Sequence, residues 1–276
     1  MPLFAFAQVN RSCRRLLRGM IFVAIGLGIF AVAAPSLASN EPWQRLDATR
    51  QLLGDATPRT QGLELDLPHV SEDGSAVPLT VRFTAELGEG DYIERIDLFA
   101  NGNPYPEIAT FHLTPLSGKA EISTRVRLNE TQQVIAVATS QQGEHFVTAR
   151  EVRITVSGCL VRSGGTTPEA LSNPRVNLPT EMNPGEPAEV RTLINHPMET
   201  GLREGDNSEL LPRHIIERFH VSLGGETAFE AELHQSVSAN PYLRFYLAPQ
   251  TSGEAQFSWQ DDNGNTARHA AELNVS

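Results

Sequence analysis

The chain has 276 residues, of which 40% are hydrophobic and 20% charged, and 33 acidic against 22 basic side chains give a net charge of −11 at pH 7. This length and composition suit one large or two ordinary globular domains. Because binding to phosphate backbones depends on concentrated positive charge, the acidic balance argues against nucleic acid as a partner.

Residues 1–38 have the pattern of an export signal. Four arginines precede an apolar run from Met20 to Ala34, and Ser-Leu-Ala at residues 36–38 offers a small-x-small cleavage site. The run has about fifteen residues, fewer than the roughly twenty that a membrane-spanning helix needs, so cleavage is predicted rather than anchoring. We therefore expect a periplasmic mature chain that begins near Ser39 and has no membrane contact. The general and the twin-arginine export routes both stay open.

The mature chain is expected to keep a single cysteine. Four of the 22 basic residues and Cys13 lie in the signal, which leaves 18 basic against 33 acidic side chains, a net charge of about −15, and Cys159 as the one thiol. Exported proteins usually pair their thiols, and an odd cysteine indicates an intermolecular disulfide or a free reactive thiol.

A short helix is predicted at residues 41–53, and all that follows is predicted to be β-structure. Stretches with β-strand patterns, separated by turn residues, recur at the spacing typical of β-sandwiches. In the first half they predict strands at 63–67, 77–85, 92–100, 108–113, 120–128, 133–140 and 146–157. Seven strands in roughly 95 residues match an immunoglobulin-like sandwich, which we expect to span residues 39–159. Asn101-Gly102 and Gln142-Gly143 are predicted to be tight reversals.

Residues 160–187 are predicted to be a linker, because they contain many glycines and prolines and few apolar residues. Strand patterns then resume at 188–195, 218–223, 227–233, 242–248, 255–260 and 268–275. Gly224-Gly225 and Asn263-Gly264 are predicted hairpin turns. The sequence therefore predicts an all-β fold of two immunoglobulin-like β-sandwich domains joined by this linker, the second at residues 188–276.

Cys159 follows the last strand of the first half. Apolar and polar residues alternate from Val152, so Val152, Ile154 and Val156 are predicted to face a core and Cys159 to face outward. We therefore expect the thiol at a strand end, within reach of solvent.

Three glycines stand near this thiol. Gly158 precedes Cys159, and Gly164 and Gly165 follow it. Glycine visits backbone conformations that are closed to other residues, so the three are predicted to give the segment the freedom of an arm.

The chemistry of Cys159 has several interpretations. As a thiolate it can accept a sulfur-containing group and hold it through an S–S bond until another enzyme removes it. A hydrolase would need a base, and no histidine lies near in sequence, although His145 could approach in space. A carrier needs no base of its own. A buried apolar role and a disulfide between two chains are the alternatives that the residues leave open.

No metal or other cofactor is predicted. The eight histidines show no HxH, HxxxH or CxxC spacing, so a metal site could arise only in three dimensions. His196-Pro197-Met198 contains two types of copper ligand but has no cysteine a few residues away, and it is predicted to be a turn. The mature chain also lacks a GxSxG elbow and a phosphate-binding glycine loop, so no unaided enzymatic activity is predicted.

Three motifs of the second half are specific: HPMETGLR at residues 196–203, PRHII at 212–216 and SANPYL at 238–243. On these motifs the second half resembles SoxZ, the partner subunit of the sulfur-carrier protein SoxYZ. The first half is similar to SoxY in LELDLPHVSEDGSAVPLTVRF, residues 63–83, and in its end at Cys159. The resemblance covers residues 60 to 275.

The resemblance implies a role for Cys159. SoxY carries thiosulfate-derived intermediates on the cysteine of a carboxy-terminal Gly-Gly-Cys-Gly-Gly arm, which visits the active sites of periplasmic enzymes. Cys159 alone matches that position, whereas Ser157 and Leu160 stand where the family has glycines, and the chain continues into the SoxZ-like half. The layout looks like the fused SoxYZ-like carriers described as associated with quinoprotein dehydrogenases.

These features predict a periplasmic covalent carrier of sulfur-containing intermediates on Cys159. Its expected partners are periplasmic sulfur-oxidation enzymes, or a quinoprotein dehydrogenase or its cytochrome. Two alternatives stay open: a non-covalent adaptor for such a dehydrogenase, with Cys159 incidental, and a small metal or redox protein. Fusion is expected to keep the halves docked, because it raises the effective concentration of one near the other. The SoxZ-like half would act as scaffold, and residues 196–203 are predicted to pack rather than to dock partners.

Overall fold

The computed structural model describes residues 41–157, 171–205 and 208–276. Two short α-helices, α1 (Pro42–Arg45) and α2 (Asp47–Leu53), begin this part of the chain. The strands of the first half are β1 (Leu63–Asp66), β2 (Val70–Ser71), β3 (Val77–Phe83), β4 (Ile93–Ala100), β5 (Glu107–Leu113), β6 (Glu121–Val126), β7 (Gln132–Ser140) and β8 (His145–Ile154). Those of the second half are β9 (Ser172–Asn177), β10 (Ala188–Asn195), β11 (Ile216–Leu223), β12 (Glu226–Leu233), β13 (Tyr242–Leu247), β14 (Gly253–Asp261) and β15 (Thr266–Leu273).

The predicted all-β architecture with a short leading helix is confirmed. Every predicted strand is present, and the strand at 188–195 has the predicted bounds. Among the described residues, no helix combines the length and the apolar character that crossing a bilayer requires.

Two strands were not predicted from the sequence. β2 has only two residues and pairs in parallel with β8. β9 lies within residues 160–187, which were expected to be a linker, so the structure places a strand in that stretch. Its sequence, SNPRVN, carries turn-forming residues that hide the pattern. Pro174 is tolerated because β9 is an edge strand, where a missing backbone N–H costs no ladder bond.

The strands form two sheets that each run through both halves of the chain. The larger has the order β15-β14-β11-β12-β5-β4-β7-β8-β2, and the smaller has the order β1-β3-β6-β13-β10-β9. The halves join where β12 pairs antiparallel with β5, from Phe229 opposite Leu113 to Leu233 opposite Ala109. They join again where Arg244 of β13 lies opposite Ser123 of β6. The expected docking of the two halves is confirmed, and the described residues form one compact unit.

One hydrophobic core fills the space between the sheets and contains side chains of both halves. Phe229 stacks on Phe245 with 4.3 Å between ring centroids, and Phe111 of the first half lies 6.1 Å from Phe229. A second, smaller cluster lies under α2, whose Leu53 packs with Phe99, Ile135, Val137 and Val147. This helix explains why β7 is buried along nearly its whole length, in place of the alternation of a half-exposed strand.

The predicted turns lie at or next to their glycines. Gly224 and Gly225 connect β11 to β12 with φ of 56° and 91°, the left-handed region that a two-residue hairpin turn requires. The predicted reversal at Asn101-Gly102 is a turn in which the Asn103 N–H donates to the Ala100 carbonyl at 3.3 Å. It is not a two-residue hairpin, since β4 ends at Ala100 and β5 begins only at Glu107. Asn103 occupies this longer loop, 8% exposed, and its side-chain N–H donates to the Arg127 carbonyl oxygen at 2.8 Å.

Candidate functional site

The predicted carrier thiol, Cys159, lies outside the described residues, as do the predicted arm glycines Gly158, Gly164 and Gly165. The described chain stops at Ser157 and resumes at Leu171. The structure therefore describes the base of the predicted arm, residues 152–157, which we call the arm base.

Burial along the arm base departs from the predicted alternation. Val152 is fully buried and Ile154 is half-buried, as predicted. Val156, which was predicted to face the core, is 52% exposed. The physical reason is that β8 ends at Ile154, so the pleat that would carry Val156 inward has already stopped.

Hydrogen bonds hold the arm base as far as its last residue. The Thr155 N–H donates to the Ser71 carbonyl at 3.2 Å, and the Gly74 N–H donates to the Val156 carbonyl at 2.9 Å. The Ser157 hydroxyl donates to Asn129 Oδ1 at 2.6 Å. The chain is therefore tied to the sandwich as far as Ser157, two residues before Cys159, by backbone bonds up to Val156 and by the Ser157 side chain.

His145 lies far from the arm base, whereas the backbone of His69 contacts it. His145, the candidate base considered above, begins β8, whereas the arm base ends that strand; nine residue steps of about 3.3 Å separate His145 from Ile154 by roughly 30 Å. His69 instead precedes β2, and its carbonyl oxygen accepts the Arg153 N–H at 2.9 Å. No sequence pattern predicted this neighbour, because it depends on the unpredicted parallel pairing of β2 with β8.

The two described ends around Cys159 belong to different sides of the fold. β8, which leads to Ser157, is the second strand from one side of the larger sheet. β9, which follows Leu171, is the edge strand of the smaller sheet, in the second half. Ser157 and Leu171, the described residues on either side of Cys159, therefore adjoin strands of different sheets.

Arg127 of the first half binds the second half from a buried position, 7% exposed. Its Nη1 donates to the carbonyl oxygens of Met198 and Val237, the latter at 3.2 Å, and its Nη2 donates to Pro197 O at 3.1 Å. Backbone carbonyls are the acceptors that a buried guanidinium needs to offset its desolvation. The first motif of the second half thus forms part of the contact between the halves.

The three motif segments of the second half also bind one another. His196 N–H donates to Asn240 Oδ1 at 3.0 Å, and Asn240 N–H donates to the His196 carbonyl at 2.8 Å. Glu199 and His214 exchange backbone hydrogen bonds of 2.7 and 3.0 Å. These contacts support the prediction that residues 196–203 have a packing role.

The same segments bring together side chains that could hold a metal ion. Ligand atoms of His196, His214 and Asp261 all lie within 4.8 Å of one another. His196 is fully buried, and burial, followed by the neighbouring His214, lowers the pKa of its imidazole to about 4. Sequence spacing could not show this group, because its members come from three separate segments: after β10, before β11 and at the end of β14.

Comparisons with known proteins give two family matches. The family model described as sulfur oxidation protein SoxY matches residues 49–159, and the one described as sulphur oxidation protein SoxZ matches residues 175–272. The two matches follow one another without overlap and together span most of the chain. No curated protein matches the chain.

Solved structures similar to the chain include a sulfur carrier protein and superoxide reductases. The sulfur carrier protein SoxY from Chlorobium limicola f thiosulfatophilum shares 28% identity over 40% of this chain and 94% of that chain, with a TM-score of 0.33. A superoxide reductase (neelaredoxin) from Ignicoccus hospitalis shares 13% identity over 34% of this chain and 81% of that chain, with a TM-score of 0.31. A superoxide reductase described as putative, from Thermotoga maritima, shares 15% identity over 33% of this chain and 84% of that chain, with a TM-score of 0.29.

Proposed function

Because the chain belongs to the SoxY and SoxZ families, joined in that order, we propose that it is a covalent carrier of sulfur-containing intermediates on Cys159. The observation that carries the proposal is the end of the SoxY match at residue 159, the one cysteine that remains after the predicted signal. Partner enzymes load and remove the cargo, and the chain catalyses no step unaided.

The loading step has a defined electron balance. The Cys159 thiolate forms an S–S bond to the sulfane sulfur of a donor such as thiosulfate, and the thiol proton goes to solvent. Formation of this bond between two reduced sulfur atoms releases two electrons, which a redox partner such as a cytochrome accepts. Exchange returns Cys159 to the thiolate: a partner thiolate attacks the outer sulfur of the S–S bond, takes the cargo in a new S–S bond and releases the Cys159 thiolate for the next cycle.

The contacts of the arm base support this role. A carrier cysteine needs a fixed origin, so that partner enzymes meet it at a repeatable place, and the bonds of Thr155 and Ser157 supply one. The sheets that continue through both halves, together with Arg127, support a second half that acts as a rigid scaffold for the first. As a scaffold, the second half does not need to contact the cargo.

The place of action belongs to the proposal as well. The export pattern of residues 1–38 supports a periplasmic chain with its signal removed. Periplasmic sulfur-oxidation enzymes are the partners that the families imply. A quinoprotein dehydrogenase or its cytochrome is the partner that the fused layout suggests.

Intact mass spectrometry tests the proposal. The mature chain is incubated with thiosulfate or sulfide and the periplasmic fraction of its own organism, then compared with a Cys159→Ser variant. The expected result is a thiosulfate- or sulfane-derived adduct that dithiothreitol removes and that Cys159→Ser never acquires. An unmodified chain that still binds a dehydrogenase or cytochrome would favour the adaptor instead. The mass of the Cys159 peptide from protein isolated from the periplasm gives the same test without added donor.

A further inference from the structure

His196, His214 and Asp261 meet where three loops of the second half converge. His214 Nε2 lies 3.2 Å from Asp261 Oδ2, and the ring centroids of His196 and His214 are 4.6 Å apart. From this geometry we propose that the three side chains bind a divalent transition-metal ion. The site contains no cysteine, and its occupation does not depend on the carrier role of Cys159.

The spacing of the ligand atoms suits one ion. Two ligand atoms on a tetrahedral zinc ion, each with a bond of about 2.1 Å, stand about 3.4 Å apart. The 3.2 Å between His214 Nε2 and Asp261 Oδ2 is close to that value. One ligand atom from each of the three side chains lies within 4.8 Å of the others, so the widest gap has to shorten by at most about 1.4 Å to reach that spacing.

His196 supplies an observation of its own that points to a ligand. Its Nε2 is buried and has no hydrogen-bond partner among the described residues, and the residue is fully buried. Buried polar atoms are nearly always satisfied, so an orphaned imidazole nitrogen on a member of this cluster indicates a group that the chain itself does not provide.

Metal binding at this nitrogen requires a proton to move. His196 Nδ1 accepts the Met198 N–H at 3.0 Å, so the neutral ring carries its proton on Nε2. A bound ion needs the Nε2 lone pair, hence the other tautomer and the loss of the Met198 bond. One neutral hydrogen bond is weak beside a metal–nitrogen bond. The ion also replaces the hydrogen bond between His214 Nε2 and Asp261 Oδ2, so His214 has to bind with its proton on Nδ1.

Asp261 is held in place for ligation. Its Oδ1 accepts the backbone N–H groups of Asn263 at 3.0 Å and Asn265 at 2.8 Å, and its Oδ2 accepts the Asn265 side-chain N–H at 2.9 Å. Burial opposes ionisation, but hydrogen bonds from Asn265 and His214 outweigh it and lower the pKa of this carboxyl group. An ionised carboxylate oriented by outer hydrogen bonds is the arrangement found around metal ions.

The donor set defines the class of ion. Two imidazoles and one carboxylate suit zinc and other first-row divalent ions and do not suit calcium or magnesium, which prefer oxygen. The His214 side chain is 26% exposed, so solvent reaches one side and can supply the fourth ligand. The same bonds of Asp261 also cap the turn between β14 and β15, and a purely structural Asp261 would bind no ion.

Zinc titration separates these two roles. The mature chain in a Cys159→Ser background is stripped with chelator and titrated with zinc sulfate by calorimetry, with bound zinc measured after dialysis. We expect one zinc per chain, and His214→Gln and Asp261→Asn each to weaken binding at least about tenfold. His220→Gln is the matched control, since that ring bonds Thr227 outside the cluster, and it leaves binding unchanged.

Two results would overturn the proposal. One is that the unsubstituted cluster binds no zinc; the other is that His214→Gln and Asp261→Asn bind zinc as tightly as the unsubstituted cluster does. Should either variant fail to fold, nitrogen NMR of the histidine rings in the unsubstituted cluster carries the test. Zinc has to shift the ring signals of His196 and His214 and the Met198 amide signal, while the His220 ring stays unchanged. If the ring nitrogen signals of His196 and His214 do not shift, zinc binds elsewhere on the chain and the proposed site is refuted.

Discussion

The Arg127 guanidinium of the first half donates to the Met198 carbonyl oxygen of the second, inside the contact between the two halves. It also donates to Pro197 and Val237, so one side chain gathers backbone oxygens from two loops. A charge at this depth is tolerated because acceptors surround it, and they in turn would be left without a donor if it were removed.

Arg127→Met should therefore lower the free energy of unfolding by about 3 kcal/mol, because several buried carbonyl groups lose a charged donor. Urea unfolding followed by fluorescence measures the loss. Arg268→Met is the control, since Arg268 is exposed on β15, and it should change stability by less than about 0.5 kcal/mol. Equal effects of the two substitutions would contradict the assigned role.

Glu121 makes the stability of the contact between the two halves depend on pH. Burial opposes its ionisation, but the hydrogen bond from Lys119 and the charges of Lys119, Arg82 and Arg244 prevail and lower its pKa below the ordinary 4.5. Arg244 belongs to the second half and lies 2.9 Å away, so this pair also joins the halves.

A depressed carboxyl pKa stabilises the fold at pH values above the unfolded pKa and loses that effect as pH falls through the folded pKa. Glu121→Gln should therefore be less stable than wild type at pH 7, by about 1–2 kcal/mol, and the difference should shrink between pH 5 and pH 3. Urea unfolding at pH 7, 5 and 3 measures both curves. A difference that stays constant with pH would show that charge is not the cause.

Phe229 should be a major contributor to the shared core. Its ring stacks on Phe245 and lies 6.1 Å from Phe111 of the other half. Phe229→Ala should cost about 3–5 kcal/mol, because it leaves a cavity between the sheets, and Phe229→Leu should cost clearly less. Thermal and urea unfolding compare the two. A single transition in every variant is expected, since both halves share the core; two separate transitions would show that the halves unfold independently.

Ser157→Ala should loosen the arm base without unfolding the sandwich. The change removes one hydrogen bond, to Asn129, so stability should fall by no more than about 1 kcal/mol. Amides of residues 154–157 should exchange faster with deuterium, which mass spectrometry of the corresponding peptide reports. Ser258→Ala on β14 is the control and should leave that peptide unchanged. Unaltered exchange in Ser157→Ala would mean that the backbone bonds alone hold this end.

The sequence alone determined the local features of the protein. Strands appear where period-two alternation and turn residues mark them, because each residue's direction in a strand depends only on its neighbours. Gly224-Gly225 marked its hairpin for the same local reason. The motifs indicated both families, and the count of cysteines singled out Cys159.

Only the tertiary structure decided which distant segments meet. The pairing of β5 with β12 joins the two halves into one sandwich. It depends on backbone hydrogen bonds between strands that are far apart in sequence, and no local pattern encodes such a pairing. In the sequence Arg127 cannot be distinguished from other charged residues; only the fold surrounds its guanidinium with backbone carbonyl groups. His196, His214 and Asp261 likewise share no spacing in sequence; they are neighbours because strand pairing and loop packing fold three separate segments onto one point.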